Sequence, residues 1–346
     1  MELTLEGDVV RAGYEARERF YDSRGYGKVR NGDIDLAPVE ATHLLYRGDI
    51  ESIDGMDFRA FLGSAAVSEV DFAVYKDLRD RGFYLTPARE GWVDEAAGMD
   101  FVVYPRGKGP WDNEVAYRVR VVGERDTVAA ADLGECVLAV VDEESEVTYL
   151  DTGRRAVDGT SDAVVPSTEG DLLAERVVCW EPPAELYEQA FYGQQLDDDG
   201  AVQLSLVEAA YLAREGLLTV EGGAEAVIER GREVEGDRFD RRLAVYAALR
   251  ASGVAPKTGF KFGADFRTYA DVENAENLGH SELLVRVLPA DHCFEPRDLA
   301  LDVRLAHGVR KTMVFALTAD GGDSDDSPDN DDTDDIEWIA VERLTP

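Results

Sequence analysis

Apolar positions along the chain fall into two sets that repeat. Val74, Tyr75 and Leu78 recur at helical spacing before Gly82, and Val245, Tyr246 and Leu249 do the same before Gly253. Each segment predicts an amphipathic helix closed by a glycine at the C-cap. Short β-rich runs follow both. After the first helix they are Phe101–Tyr104, Ala116–Val122 and Cys136–Val141; after the second, Phe266–Tyr269, Glu282–Leu288, Thr312–Leu317 and Ile336–Val341. Helices mixed with strands in each half predict an α+β or α/β build.

The recurrence extends beyond hydrophobicity to residue identity. Tyr26-Gly27 returns as Tyr192-Gly193, and Leu36, Val39-Glu40-Ala41, Leu44 as Leu204, Val207-Glu208-Ala209, Leu212. Asp100-Phe101-x-x-Tyr104 matches Asp265-Phe266-x-x-Tyr269, and Val119-Arg120-Val121 matches Val285-Arg286-Val287. The offset between partners stays between 165 and 171, so the chain is two tandem, divergent copies of one unit. The expected divisions are an N-terminal subdomain over 1–68, a sheet-containing subdomain over 69–150, a linker over 151–170 rich in Gly, Ser, Thr and Asp, and the second copy's subdomains over 171–236 and 237–346. Residues 320–335 hold a run of aspartates with Gly, Ser and Pro, and are expected to form a mobile acidic loop before the final strand.

Charge changes the picture of the environment more than that of the partner. The net charge is -36, from 72 Asp and Glu against 36 Lys and Arg. Self-repulsion on that scale destabilises a fold in dilute buffer, whereas at about 1 M salt the Debye length falls to roughly 3 Å. An Asp-rich, Lys-poor chain therefore points to a cytoplasm holding molar salt. Cys136, Cys179 and Cys293 form no C-x-x-C pair and point away from a disulfide framework or zinc ribbon. His280, His292, Cys293 and His307 match no zinc spacing, so no metal is expected. No apolar run is long enough to span a membrane, and the first residues carry acids where a signal peptide carries cations.

The most specific string runs T-G-F-K-F-G-A-D-F-R-T-Y from Thr258 to Tyr269, then Gly279-His280-Ser281-Glu282, then Gly308-Val309-Arg310-Lys311. With both copies, it resembles the archaeal tRNA-splicing endonucleases, in the duplicated-chain homodimeric form. The resemblance implies an endonuclease unit with a small N-terminal α/β subdomain followed by a helix-plus-mixed-sheet catalytic-type subdomain. It implies that Tyr269, His280 and Lys311 form the active triad, that Arg304 and Arg343 hold an unpaired base, and that the acidic turn Asp142, Glu143, Glu144, Glu146 docks in the assembly. The implied substrate is precursor tRNA with a bulge-helix-bulge, with other intron-containing RNA precursors also possible. No cofactor is implied.

The chemistry of those residues suits RNA cleavage. Attack of a ribose 2′-OH on its own phosphate needs a base, an acid for the leaving 5′-oxygen and a cation beside the developing charge. An imidazole suits the acid and Lys311 the cation, leaving Tyr269 as base, although at pH 7 only about one unperturbed phenol in a thousand is ionised. In the first copy Tyr104 is kept, while Glu114 stands at the position of His280 and Glu135 at that of Lys311, so one working site per chain is expected. Lys257, Lys261, Arg267, Arg286, Arg304, Arg310 and Lys311 crowd the second copy as a cationic zone for phosphate. Two other readings stay open: a metal-dependent nuclease using carboxylates such as Asp265 and Glu282, and a non-catalytic RNA-binding assembly subunit.

Overall fold

The computed structural model describes residues 1–196, 200–275, 278–319 and 336–346. The aspartate-rich stretch 320–335 lies outside them. Each copy opens with a small sheet, five-stranded in the first and four-stranded in the second, carrying a helix, Pro38–Tyr46 or Leu206–Arg214. Both helices begin the same way. Glu40 accepts the Ala37 N–H at 2.8 Å and Glu208 the Ser205 N–H at 3.0 Å, each carboxylate satisfying a backbone donor just ahead of its own helix.

These glutamates also explain the recurring Tyr-Gly pair. Glu40 accepts the Gly27 N–H at 2.7 Å and Glu208 the Gly193 N–H at 2.9 Å. A Cβ on Gly27 would lie 2.5 Å from the Asp35 carbonyl oxygen, and one on Gly193 2.4 Å from that of Gln203, so only glycine fits either turn. Arg79 lies 3.8 Å over the Tyr26 ring and Arg250 3.8 Å over Tyr192. Residues scattered over fifty positions of each repeat thus form one buried knot, made twice.

The larger subdomains share one sheet. Its strands are β1 (Leu85–Pro87), β2 (Phe101–Val103), β3 (Tyr117–Gly123), β4 (Glu135–Val141) and β5 (Val147–Arg154) from the first copy. From the second come β6 (Ala255–Thr258), β7 (Phe266–Tyr269), β8 (Leu283–Pro289), β9 (Thr312–Thr318) and β10 (Glu337–Leu344). The spatial order is β6-β7-β8-β9-β10-β5-β4-β3-β2-β1. Within each half the third and fourth strands run parallel and the other neighbours antiparallel; β5 and β10 close the seam antiparallel. Helices Glu69–Asp80 and Arg238–Ala251 pack their apolar stripes, Val74, Tyr75, Leu78 and Val245, Tyr246, Leu249, onto this sheet. Gly82 (φ 90°) and Gly253 (φ 72°) follow them in the left-handed region, as the spacing predicts.

Strand pairing aligns the copies independently of residue identity. Phe101 pairs with Val119 as Phe266 does with Val285, and Val119 pairs with Val137 as Val285 does with Val314. His280 therefore corresponds to Glu114, but Lys311 to Gly134, one residue before the expected Glu135. The slip arises because the second copy inserts the helix Pro296–Gly308 between its parallel strands, where the first has only a short turn, Ala130–Asp132. The expected linker also starts too early: β5 runs to Arg154, because pairing with β10 holds the polar Asp151-Thr152-Gly153 step in a central strand. Beyond it the chain is stitched to the second copy, with Gly159 N–H on Ser252 O at 2.8 Å and Thr160 N–H on Ala270 O at 2.7 Å. Thr168–Glu169 already pairs with Leu218–Thr219 of that copy.

Candidate active site

Antiparallel pairing of β7 with β8, and parallel pairing of β8 with β9, bring the end of β7 and the starts of β8 and β9 to one edge. Tyr269 closes β7, His280 and Ser281 lead into β8, and Lys311 immediately precedes β9. The Glu282 N–H donates to Thr268 O at 3.2 Å and the Thr312 N–H to Glu282 O at 3.1 Å, which locks the three together. Neighbouring strands lie about 4.8 Å apart, so the backbones of Tyr269 and Lys311 stand roughly 10 Å apart across the Ser281–Glu282 step.

Lys311 is delivered by the end of the helix Pro296–Gly308. Arg310 turns left-handed (φ 57°) and the Lys311 N–H returns to Ala306 O at 3.0 Å, a helix stop that aims the next side chain across the strand ends. The ammonium donates to Ser281 O and Oγ. Desolvation, then the charge of Arg267, holds its pKa below the ordinary lysine value. A lysine so placed is a fixed cation with its donors already turned towards the β8 end.

His280 is exposed and shares a cleft of about 800 Å³ with Lys311, Arg343, Arg155, His307 and Glu342. Arg343 reaches it from β10, whose Val341 pairs with Met313 of β9. Glu342 accepts the Thr312 hydroxyl at 2.8 Å. Arg304 is exposed on the helix whose Val303 and His307 wall the cleft, and is not itself one of its walls. Tyr269 is buried to 6% exposure against Phe191, Ala255 and Val272, outside the cleft lining. Its ring meets Phe191 edge-on at 5.6 Å, and the Arg267 guanidinium carbon sits 5.6 Å from its centroid.

The cationic zone expected from sequence divides. Lys257 is buried against Glu208 at 3.3 Å, and Arg286 pairs with Asp302. Lys261 lies in the turn Phe260–Phe262 between β6 and β7 and is not among the cleft's walls, although the Phe262 ring beside it comes within 5.8 Å of the Lys311 ammonium. Of that zone Arg310 and Lys311 line the cleft, Arg304 stands outside its walls, and Arg267 lies beside Tyr269. Asp265 is spoken for as well: it pairs with Arg238 at 2.5 Å and Arg242 at 3.0 Å and accepts the Val287 N–H at 2.9 Å. It sits at the start of β7, away from Glu282, so the two carboxylates do not form a shared metal site. Among the described residues no group of three or more His, Cys, Asp or Glu side chains is arranged to hold a metal.

The acidic turn Asp142–Glu146 is the tight connection between β4 and β5. Asp142 Oδ1 accepts the N–H groups of Glu144 and Glu146 at 2.9 and 2.8 Å, and Glu143 pairs with Arg125. Glu143, Glu144 and Glu146 are exposed.

The first copy keeps the tyrosine but not the charges around it. Tyr104 occupies the place of Tyr269, but its hydroxyl donates to Thr86 at 2.9 Å. Thr86 pairs with Val102 as Lys257 pairs with Arg267, so two further cations of the second copy are replaced by Thr and Val. That substitution around a retained tyrosine was not legible from the triad motif alone.

Fold and site together define a duplicated endonuclease-type chain in which the second copy, and not the first, brings a histidine and a lysine to the strand ends beside its tyrosine. The family model for the catalytic C-terminal domain of tRNA intron endonucleases matches residues 239–326, and that for their N-terminal domain matches twice, at 1–62 and 168–230. Across 346 residues, 100% of both chains, the sequence is 88% identical to a tRNA-splicing endonuclease of Haloarcula marismortui. It is 60% identical over 348 residues to that of Natronomonas pharaonis, again covering 100% of both, and 37% identical over 350 residues to that of Methanosarcina acetivorans, covering 93% of this chain and 97% of the other. The chain belongs to the tRNA-splicing endonuclease family. Among the described residues no helix is long and apolar enough to cross a membrane.

Proposed function

We propose that the chain excises introns from precursor tRNA by metal-independent cleavage at bulge-helix-bulge sites, with Tyr269, His280 and Lys311 as its working set. The observation that carries this reading is the meeting of the three at one sheet edge, with Lys311 and His280 in one cleft. In the reaction the Tyr269 phenolate takes the proton of the ribose 2′-OH, and the 2′-oxygen bonds to phosphorus. The P–O5′ bond breaks as His280 protonates the departing oxygen, leaving a 2′,3′-cyclic phosphate and a 5′-hydroxyl. Lys311 faces the negative charge gathered on the phosphorus oxygens.

Arg343, with Arg304 reaching over from the helix, is the pair for a base displaced from the bulge, since a guanidinium plane stacks on an unpaired base. Two chains, docked through Asp142, Glu143, Glu144 and Glu146, would place two working copies for the two cuts an intron needs. Recognition is then of RNA shape, in a cytoplasm where molar salt screens the chain's own acidity.

Cleavage of an intron-containing precursor tRNA in molar salt with excess chelator tests this directly. The expected result is chelator-resistant cutting to cyclic phosphate ends, slowed about 10²- to 10⁴-fold in a His280→Ala variant. Cutting that stops with chelator, or that ignores the substitution, would overturn it.

A further inference from the structure

We propose that Arg267 is a further catalytic residue, its guanidinium holding a non-bridging oxygen of the scissile phosphate on the side opposite Lys311. The proposal rests on reading Tyr269, His280 and Lys311 as the working set. Arg267 lies two residues before Tyr269 on β7, hence on the same face of the strand, with its guanidinium carbon 5.6 Å from the phenol ring. Its charge also reaches Lys311, whose basicity it lowers. Arg267 is thus within electrostatic range of both groups between which the phosphate must sit.

Arg267 differs from its neighbours in what it pairs with. Arg238 and Arg242 bind Asp265, and Arg286 binds Asp302. Among the described residues Arg267 has no carboxylate within ion-pair distance, in a chain of 72 acids. Its Nε is buried with no hydrogen-bond partner. Arg242 also leaves its Nε without a hydrogen bond but has Asp265 at 3.0 Å, whereas Arg267 has no such carboxylate, and an arriving phosphate oxygen would relieve the cost of its unpaired donor. A phosphate presents paired oxygens that match the planar fork of N–H groups. Packing alone does not require the charge: in the first copy Val102 fills this position beside a tyrosine that donates to Thr86.

The test is single-turnover cleavage of a bulge-helix-bulge RNA by the full-length protein in molar salt, with RNA affinity and thermal midpoint measured on the same samples. R267Q, R267K, Y269F and K311A are compared with wild type. Loss of one charge-stabilising donor of this kind slows a chemical step by about 10²- to 10³-fold. That is the expected loss for R267Q, with Kd changed less than about three-fold and with part of the rate regained in R267K. An R267Q rate within about three-fold of wild type overturns the proposal, as does a loss matched by an equal loss of affinity. If R267Q does not fold, R267K decides: a rate indistinguishable from wild type means that the fork geometry meets no phosphate. Full activity in Y269F and K311A would instead overturn the site reading beneath it.

Discussion

The two copies bury the same knot and solve its charge differently. In the second copy Glu208 receives the N–H groups of Gly193 and Ser205 and is met by Lys257 at 3.3 Å. Burial alone would raise its pKa, but the lysine and those donors bring it below the ordinary carboxylate value. In the first copy Thr86 replaces the lysine. Glu40 keeps its two N–H donors, yet burial pushes its pKa up to about 7, only partly opposed by those donors and by Arg79. Nearby His43, bonded to the Tyr26 hydroxyl at 2.9 Å, is driven down to about 4, chiefly by burial. A scaffold element repeated in shape therefore holds its carboxyl with a raised pKa in the first copy and as an ion pair in the second. Lys257 pairs across β6 and β7 with Arg267, so the ion pair also supports the strand that ends at Tyr269.

Transplanting the first copy's residue is the harshest way to break that comparison. Lys257→Thr leaves Glu208 without its cation, and removing one partner of a buried pair costs about 3 to 5 kcal/mol. Denaturant unfolding in molar salt should show a loss of that size, smaller at low pH, where Glu208 can take up a proton. An unchanged midpoint would mean that the knot needs no cation in either copy.

The first copy is probed through pH. The folded state holds the Glu40 proton up to about 7, against 4.5 for an ordinary glutamate, so this group favours folding below about 4.5 and the advantage is lost as pH rises towards 7. His43, lowered from 6.5 to about 4, acts in the opposite sense: its contribution is full above 6.5 and lost as pH falls through 4. The two slopes largely cancel in the wild type. Glu40→Gln should uncover the histidine's, and the variant's stability relative to wild type should rise by about 3 kcal/mol between pH 4.5 and pH 8. A difference that stays flat with pH would show that Glu40 titrates normally.

The smallest effect is expected at the surface. The double variant Glu143→Gln, Glu144→Gln should weaken self-association by less than about three-fold in molar salt and by more at 0.2 M, because exposed charges are screened within a few ångströms at high salt. Sedimentation at two salt concentrations reads this out, and equal dissociation constants at both would detach the Asp142–Glu146 turn from assembly.

Much of this was legible in the sequence because the duplication repeats identities as well as periods. The helices before Gly82 and Gly253 and the strands around Val119 and Val285 fall where apolar spacing puts them. The fusion of ten strands into one sheet was not visible, since the pairing of β5 with β10 joins segments nearly two hundred residues apart and leaves no local signature. The Gly134 correspondence was missed for a related reason: a helix inserted in one copy shifts the register, and only the parallel partner strand restores it. Arg267 and Lys257 stood among the cations noted near the motif, but spacing could not distinguish the one beside the phenol from the one sealed under Glu208. Cross-strand adjacency made that distinction.

The seam sets an order on the chain's own synthesis. β5 lies at the centre of the finished sheet, yet as it leaves the ribosome it is a bare edge with nothing to pair with until β10 follows. Unpaired edges invite wrong partners, and charges on them discourage such contacts. Asp151 and Arg154 on β5 suit that interval, with Arg154 later taken up by Glu337 at 2.7 Å from the arriving strand. Because β10 also flanks β9 and contributes Arg343, the cleft gains its last wall in the same step that covers the waiting edge.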